Sequence, residues 1–272
     1  MSFAAAPPTK KVLVLSYFNT PNFGDRLGYH VVNGVIPAHA EVTHAGLNPW
    51  VVPDDAQYDL VILGIGMSLN APAMRRPELH RLIERTPHTI GIFGTQYHYQ
   101  YETMMDPAMF GILLDKLTVW WARYREDIDM FGGGRSNVRH LGDWLISAFP
   151  LTRPTIDKTL AIQADIMKKD ISLDRMIQQI HAYRSVKTSR IHPMLCALTS
   201  AERLLYVEQR ETADKTKASG KFGAQLRDIF GRDFKEAQFF DVDRQAVLRY
   251  KIMVEENMVA LRMQIADLLR DG

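Results

Sequence analysis

The sequence of 272 residues contains one cysteine, Cys196, and so cannot form an internal disulfide. Proteins that depend on disulfides belong to oxidising compartments and usually carry several cysteines. The amino terminus, MSFAAAPPTKK, lacks the run of about 7–15 apolar residues that forms the core of a signal peptide. These two absences predict a cytoplasmic protein.

Long apolar runs and concentrated charge are missing as well. No stretch approaches the ~18 apolar residues that a membrane-spanning helix needs, so we predict no membrane span, while peripheral association with a membrane stays open. The net charge is +2, from 33 Lys and Arg against 31 Asp and Glu that are interspersed along the chain. A nucleic-acid binder would show a concentrated basic face, so that class is excluded.

Patterns that bind metals are absent too. The nine histidines show no HExxH or comparable spacing, and a single cysteine excludes a cluster of thiolate ligands. Cys196 lies within an apolar segment, which favours a packing role over nucleophilic catalysis. We therefore predict no metal site and no cofactor.

What the chain does contain is a regular alternation of short apolar runs with segments long enough for helices. Apolar residues make up 46% of the chain, which suffices for a full core. The runs that predict buried strands are 12–17, 60–64, 89–93, 117–121, 159–163 and 203–207. The segments that predict helices are 26–33, 77–85, 172–183, 193–200 and 243–270. This alternation predicts an α/β fold with parallel sheets.

One segment interrupts the alternation. Residues 143–154, DWLISAFPLTRP, contain two prolines and indicate a domain boundary. We predict a Rossmann-like lobe over residues 1–150 and a smaller Rossmann-like lobe over 151–242. A C-terminal helix over 243–272 is predicted to pack back on the first lobe. The pattern assigns no role to residues 210–242.

Two loops after predicted strands carry polar residues that suit a sugar. In NTPNFGDRL (19–27), Gly24 would let the backbone approach a ligand, and Asp25 could accept hydrogen bonds from sugar hydroxyls. Alternatively, Asp25 caps the following helix and Asn22 shapes the turn. In GTQYHYQY (94–101), Gln96 and His98 stand among tyrosines that could stack on a sugar ring or pack on a neighbouring loop.

Two other segments suit anions. In WWARYRED (120–127), Arg123 and Arg125 follow a predicted strand, and a planar guanidinium fits carboxylate and phosphate oxygens; a surface ion pair is the alternative. In TSRIHP (188–193), the proline suits the first position of a helix, which makes His192 the exposed N-cap. There a histidine could share an anion with the backbone amides or transfer a proton, although a lone histidine is usually structural.

Taken in order over residues 10–210, these segments resemble the polysaccharide pyruvyltransferase family. The family shows an N-x-GD-x-L loop, a second glycine loop, a G-Q loop, an arginine at a strand end, a GD pair and a late R-x-H. The matching residues are, in that order, Asn22, Gly24, Asp25 and Leu27; Gly64 and Gly66; Gly94 and Gln96; Arg123; Gly142 and Asp143; Arg190 and His192. The chain departs from the pattern in the residue between Gly94 and Gln96 and in the proline after His192.

The resemblance implies a GT-B-like enzyme whose two lobes enclose the active site. It implies transfer of pyruvate from phosphoenolpyruvate to a sugar of a cell-surface polysaccharide or exopolysaccharide, or of its lipid-linked precursor, as a ketal. His192 would bind phosphate or act as the general acid, and Asp25 is the second catalytic candidate. The residues implied to hold the donor are Arg123, Arg125, Arg190 and Ser189, and those implied to meet the acceptor are Asn22, Gly24, Gln96 and His98.

Two other functions stay open. A nucleotide-sugar glycosyltransferase of GT-B shape would need a carboxylate for the ribose in the second lobe, where Asp241 and Asp243 more simply cap the last helix. A non-catalytic family member serving as an assembly subunit is the other, and the presence of both Arg123 and His192 speaks against it. The acceptor sugar, its linkage and the oligomeric state are not determined by the sequence.

Overall fold

The structure is a computed structural model that describes residues 9–16, 21–66, 69–95, 107–163, 171–210 and 214–271. Gln96 and His98, two of the predicted site residues, lie outside this part of the chain. The strands form two sheets. Their bounds are β1 Lys11–Ser16, β2 Glu41–Gly46, β3 Leu60–Leu63, β4 His88–Phe93, β5 Val119–Ala122, β6 Val138–His140, β7 Ile156–Ile162, β8 Tyr183–Thr188, β9 Arg203–Tyr206 and β10 Phe240–Asp241.

Helices connect most of these strands. Their bounds are α1 Phe23–Asn33, α2 Ala71–Met74, α3 Pro77–Arg85, α4 Pro107–Lys116, α5 Arg125–Phe131, α6 Leu173–His181, α7 Ile191–Leu198, α8 Lys221–Phe230 and α9 Arg244–Asp271, with a 3₁₀ turn over Trp144–Ala148. None of the helices in the described ranges is both long enough and apolar enough to cross a membrane.

The first sheet has six parallel strands in the order β2-β1-β3-β4-β5-β6. Along β1, Val12 and Val14 belong to one apolar cluster, and Leu13 and Leu15 belong to another. Because side chains alternate across a strand, one continuous apolar run supplies the cores on both faces of the sheet. The strand order reverses between β1 and β3, and open α/β sheets bind ligands at such switch points.

The second sheet has four strands in the order β10-β9-β8-β7, of which β7, β8 and β9 are parallel and β10 is antiparallel. The strands predicted from residues 12–17 and 203–207 thus lie in different sheets. The predicted α/β fold class, with two Rossmann-like units and a long C-terminal helix, is confirmed. The division into domains at residue 150 stays a prediction.

The long helix α9 contacts both units. Near its start the Arg244 side chain donates to backbone carbonyls of Ser200 and Thr152, at 3.0 and 2.6 Å. Near its end Gln264 accepts a hydrogen bond of 2.9 Å from the indole of Trp121 on β5. One apolar cluster includes residues of the first sheet, the second sheet and this helix, so the two units share a core.

Some elements differ from those predicted. Helix α1 begins at Phe23 rather than at residue 26, because the Asn22 side chain accepts a hydrogen bond of 3.1 Å from the backbone N–H of Asp25 and caps the helix. Asn22 rather than Asp25 is therefore the capping residue. Strand β2 was not predicted, because EVTHAG lies at the edge of the sheet, is half exposed and lacks a continuous apolar run.

Candidate functional site

The carboxyl ends of β1, β3, β4 and β5 lie at one edge of the first sheet, because parallel strands end on the same side. The backbone N–H of Gly64 donates to the carbonyl of Leu15 at 2.8 Å, and that of Gly94 donates to the carbonyl of Gly66 at 2.9 Å. Helix α7, which follows β8 of the second sheet, comes up against this edge. The first turns of α1 and α7 therefore meet at the junction of the two units.

The closest approach is between Gly24 in the first turn of α1 and His192 in the first turn of α7. A Cβ atom built on Gly24 would overlap the imidazole ring of His192. The ring thus occupies the space that a side chain at residue 24 would take. This contact joins two residues of the predicted site from opposite units.

Arg123, directly after β5, completes the cluster. Its guanidinium forms an ion pair with Asp143, and Nη2 lies 3.4 Å from Nε2 of His192. Arg123 is 4% exposed and Asp143 is 1% exposed. The pair is fully desolvated, which makes removal of either partner costly.

Asp143 is held in place by the residues around it. Gly142 has φ +81°, a conformation that favours glycine, and a Cβ there would lie 2.6 Å from the Val254 side chain on α9. The backbone N–H of Asp143 donates to the Tyr250 hydroxyl at 2.7 Å. The GD pair of the sequence therefore places the carboxylate that neutralises Arg123.

Burial and charge set the protonation of this cluster. Burial is the largest influence on Arg123 and would lower its pKa, but the Asp143 carboxylate together with Tyr124 and Tyr250 outweighs it, and the pKa is raised. Burial, followed by the positive charges of Arg123 and Lys221, holds the pKa of His192 well below its ordinary value. His192 is therefore a neutral imidazole at pH 7, facing a permanently charged guanidinium.

Two buried atoms of the cluster are not hydrogen-bonded. Within the described ranges, Nε of Arg123 and Nδ1 of His192 have no partner. A very small cavity, of about 10 Å³, adjoins Arg123 and is lined also by Gly66, Trp121 and Gly142. Buried polar atoms are normally paired, so a guanidinium and an imidazole with spare capacity are equipped to hold the oxygens of an anion.

The prediction that His192 is an exposed N-cap is wrong. Helix α7 begins at Ile191, Arg190 is its N-cap, and Pro193 occupies the third position. The backbone N–H groups of the first helical turn have no partner within the helix, so proline fits the third position as well as the first. His192, at the second position, is only 8% exposed.

Ser189 and Arg190 lie at the ends of β7 and β8. Arg190 donates from Nε to the carbonyl of Gln163 at 3.2 Å, and the Ser189 hydroxyl lies 3.5 Å from the same oxygen. Asp25 lies in the first turn of α1, and its charge adds to burial in raising the pKa of Tyr29. Their predicted roles at the donor and the acceptor stay predictions.

Arg125 does not join Arg123. It is exposed and lines a second cavity, of about 260 Å³, between α5 and α8. Asp228 lines the same cavity and accepts from the Tyr250 hydroxyl and pairs with His140, both at 3.1 Å. No sequence motif pointed to Asp228, His140 or Tyr250, since each belongs to a different element.

The first turn of α8 is already occupied by a carboxylate. Glu208 accepts from the backbone N–H groups of Phe222 and Gly223, both at 3.1 Å, and from the Ser219 hydroxyl at 2.7 Å. Helix N-termini bind anions, and this one binds an anion of its own chain. A nucleotide phosphate would have to displace Glu208 to use it.

Two predictions about single residues can be compared with the structure. Asp243 accepts from the backbone N–H groups of Gln245 and Ala246 at 2.9 and 3.1 Å and thus caps α9. Cys196 is fully buried in α7, in keeping with a packing role. In the described part of the chain, three or more His, Cys, Asp or Glu side chains nowhere come together in a way that could hold a metal ion.

Comparison with known proteins gives little further. No protein-family model and no curated protein sequence matches the chain. Seven solved chains match in structure. One is a UDP-glucosyltransferase from Polygonum tinctorium, described as capable of glucosylating indoxyl and solved in complex with 3,4-dichloroaniline; its TM-score is 0.36 at 9% identity, over 97% of this chain and 94% of that one. A likeness at this level carries no argument about function.

Proposed function

We propose that this chain is a pyruvyltransferase that moves the pyruvate unit of phosphoenolpyruvate onto a sugar of a cell-surface polysaccharide or its precursor. The observation that supports it is the meeting of Gly24, Arg123 and His192, three residues of the family-like motifs, at the junction of two Rossmann-like units. They are far apart in sequence and come from three different elements.

The donor matches the chemistry of this cluster. Phosphoenolpyruvate carries a carboxylate and a phosphate, and Arg123 offers its Nε–H, which has no partner within the described ranges, as a charged donor for one of them. His192 offers the unpartnered Nδ1. An incoming dianion would raise the pKa of His192 and favour the imidazolium, because an opposite charge stabilises the charged form.

The proposed reaction adds two sugar hydroxyl oxygens to the donor and releases phosphate. The donor methylene carbon takes a proton from His192 and becomes a methyl group, and a sugar hydroxyl oxygen bonds to the adjacent carbon. The bond from that carbon to the phosphate oxygen then breaks and releases inorganic phosphate, and a second hydroxyl closes the ketal. Of the two hydroxyl protons, one restores His192 and the other leaves with the phosphate.

Donor binding requires the two units to part at this point, because the His192 ring fills the space above Gly24. In the proposed reaction cycle, phosphoenolpyruvate replaces the contact between His192 and Gly24. The guanidinium of Arg123 then neutralises part of the negative charge of the donor. The closed contact then represents the state without donor.

Thermal unfolding with and without ligand tests the donor. Phosphoenolpyruvate should raise the melting temperature, and UDP-glucose should do so less. Stabilisation by UDP-glucose with none by phosphoenolpyruvate would overturn the proposal in favour of a nucleotide-sugar glycosyltransferase.

Substitution of His192 tests its role. His192→Ala should lower turnover by about 10²-fold or more, and His192→Asn should do the same if the residue supplies the proton. Near-normal turnover of His192→Asn would leave His192 as an anion ligand only. The matched control is His181→Asn, which changes another buried histidine of the same unit that bonds to the Thr199 hydroxyl at 2.9 Å.

A further inference from the structure

The cavity between α5 and α8, called here the α5–α8 cavity, is lined by Arg125, Glu126, Asp129, Ala224, Arg227, Asp228 and Gly231. Its volume of about 260 Å³ is close to the lower end of small-molecule sites, which span about 300–1,000 Å³. Most of its lining is charged, so an apolar ligand would leave polar groups without partners. The cavity therefore suits a polar ligand.

Asp228 gives this cavity a built acceptor. Its side chain is 2% exposed, and its Oδ2 accepts from Tyr250 and pairs with His140. Its other oxygen, Oδ1, is buried and has no hydrogen-bond partner in the described ranges. A buried carboxylate oxygen without a donor is costly, and a ligand hydroxyl would supply that donor.

The guanidinium of Arg125 supplies the second recognition element. The other arginine of the cavity, Arg227, is already bound, since it pairs with Glu126 and, at 2.6 Å, with Asp233. Arg125 is exposed and forms no ion pair within the described ranges. It can therefore receive an anionic group of the ligand.

The nature of that anion follows from the charges around it. The carboxylates of Asp129 and Asp228 line the same cavity, and they would repel a phosphate dianion more strongly than a single carboxylate. The group that donates to Asp228 is better a neutral hydroxyl than an ammonium, because a hydroxyl is cheaper to desolvate.

We propose that the α5–α8 cavity binds an acidic saccharide, with Arg125 on its carboxylate and Asp228 on one of its ring hydroxyls. The proposal does not depend on the donor, because Arg125 and Asp228 line a different cavity from Arg123. Failure of pyruvate transfer would leave it intact.

Two sugars that differ only at C6 test this site. Glucuronate has a carboxylate where glucose has a hydroxymethyl group, and binding of each is followed by amide chemical shifts in the full chain. Glucuronate should bind about ten-fold more tightly than glucose, since a charge-assisted pair contributes about that factor. Equal affinity of the two sugars would overturn the proposal, and so would L-alanine binding as tightly as glucuronate.

Two substitutions give a signature that a structural role would not. Arg125→Gln should weaken glucuronate about ten-fold and leave glucose unchanged, whereas Asp228→Asn should weaken both sugars alike. The control is Arg175→Gln, an exposed arginine of α6 outside the cavity. Arg125 is exposed, so its variant should keep the wild-type melting temperature even if Asp228→Asn does not. Unchanged glucuronate affinity in Arg125→Gln would overturn the proposal.

Discussion

Arg123 and Arg125 are two residues apart, yet the structure gives them opposite surroundings. Arg123 follows the last residue of β5, is 4% exposed and is neutralised by Asp143. Arg125 is the first residue of α5, is exposed and borders the open α5–α8 cavity. The two arginines thus differ in setting: one lies in a closed, desolvated contact at one point of the junction, and the other borders an open polar cavity at another point.

The difference shows that the junction between the two units is uneven. Where Gly24 leaves room, the His192 ring enters and the contact is closed. Where Asp228 keeps one carboxylate oxygen without a partner, a cavity remains. The charge of Arg123, at the closed point, is buried in the folded core. The charge of Arg125, at the open point, is accessible to a ligand.

The largest effect should come from removing the carboxylate at the closed point. Asp143→Ala leaves Arg123 charged and buried, so the free energy of unfolding should fall by about 3–5 kcal/mol in urea denaturation. The control is Asp129→Ala on the exposed face of α5, which should change it by less than about 0.5 kcal/mol. Similar losses in the two variants would show that the junction is equally solvated at both points.

Asp127 lies two residues after Arg125 and is fully buried. A buried carboxyl group makes the stability depend on pH, so Asp127 allows buried and exposed charges to be compared as pH changes. Burial raises its pKa to about 7, against hydrogen bonds from the Thr95 backbone N–H and hydroxyl that lower it. The folded state therefore holds this proton more tightly than the unfolded state. Its stabilising contribution is present below pH ~4 and is lost as pH rises to about 7.

Asp127→Asn should remove that pH dependence. Between pH 4 and 7 the free energy of unfolding of the wild type should fall relative to the variant by at most about 1.4 kcal/mol per pH unit, the value for one proton. Urea denaturation at several pH values measures the slope. Parallel curves for the two proteins would mean that Asp127 is ionised in the folded state throughout this range.

Adding a side chain at Gly24 should lower the free energy of unfolding by an intermediate amount. Gly24→Ala places a methyl group where the His192 ring lies, and such overpacking typically costs about 1–3 kcal/mol. Combined with His192→Ala, the same change should cost less, because the clash is gone. A double-mutant cycle of unfolding free energies measures the coupling, and additive losses would contradict a direct contact.

The smallest effect should come from the ion pair between Glu126 on α5 and Arg227 on α8. Its side chains are 29% and 39% exposed, so Glu126→Ala should lower the free energy of unfolding by about 1 kcal/mol or less. The loss should shrink further in high salt, which screens exposed pairs. A loss as large as that of Asp143→Ala would place this pair in a desolvated setting.

Much of the fold was predictable from local patterns. Apolar runs predicted six strands of the two sheets within a few residues. Five of the six, all except β7, are largely buried, because a strand covered on both faces must be apolar throughout. The edge strand β2 was not predicted, because several of its side chains are exposed and polar and therefore interrupt the apolar run. Helix α3 was predicted with the bounds it has, Pro77–Arg85.

The candidate site was predictable only in part. Parallel strands end on one edge, so Gly24 and Arg123 had to lie at the same edge of the first sheet, and the late R-x-H motif pointed to His192. The ion pair between Arg123 and Asp143 forms within the first unit, where Tyr250 of α9 holds Asp143. The burial of His192 and the separate position of Arg125 depend on how the two units pack.

The sequence by itself determined which segments become strands and helices, and therefore which residues stand at the carboxyl edges of the two sheets. The tertiary structure alone decided which of those residues are desolvated. Arg123 and Arg125 have the same local signal, and only the approach of α7, α8 and α9 gives one a buried counter-ion and the other an open cavity. Local preference acts over a few residues, whereas burial and charge pairing join residues such as Asp143 and Tyr250 that are far apart along the chain.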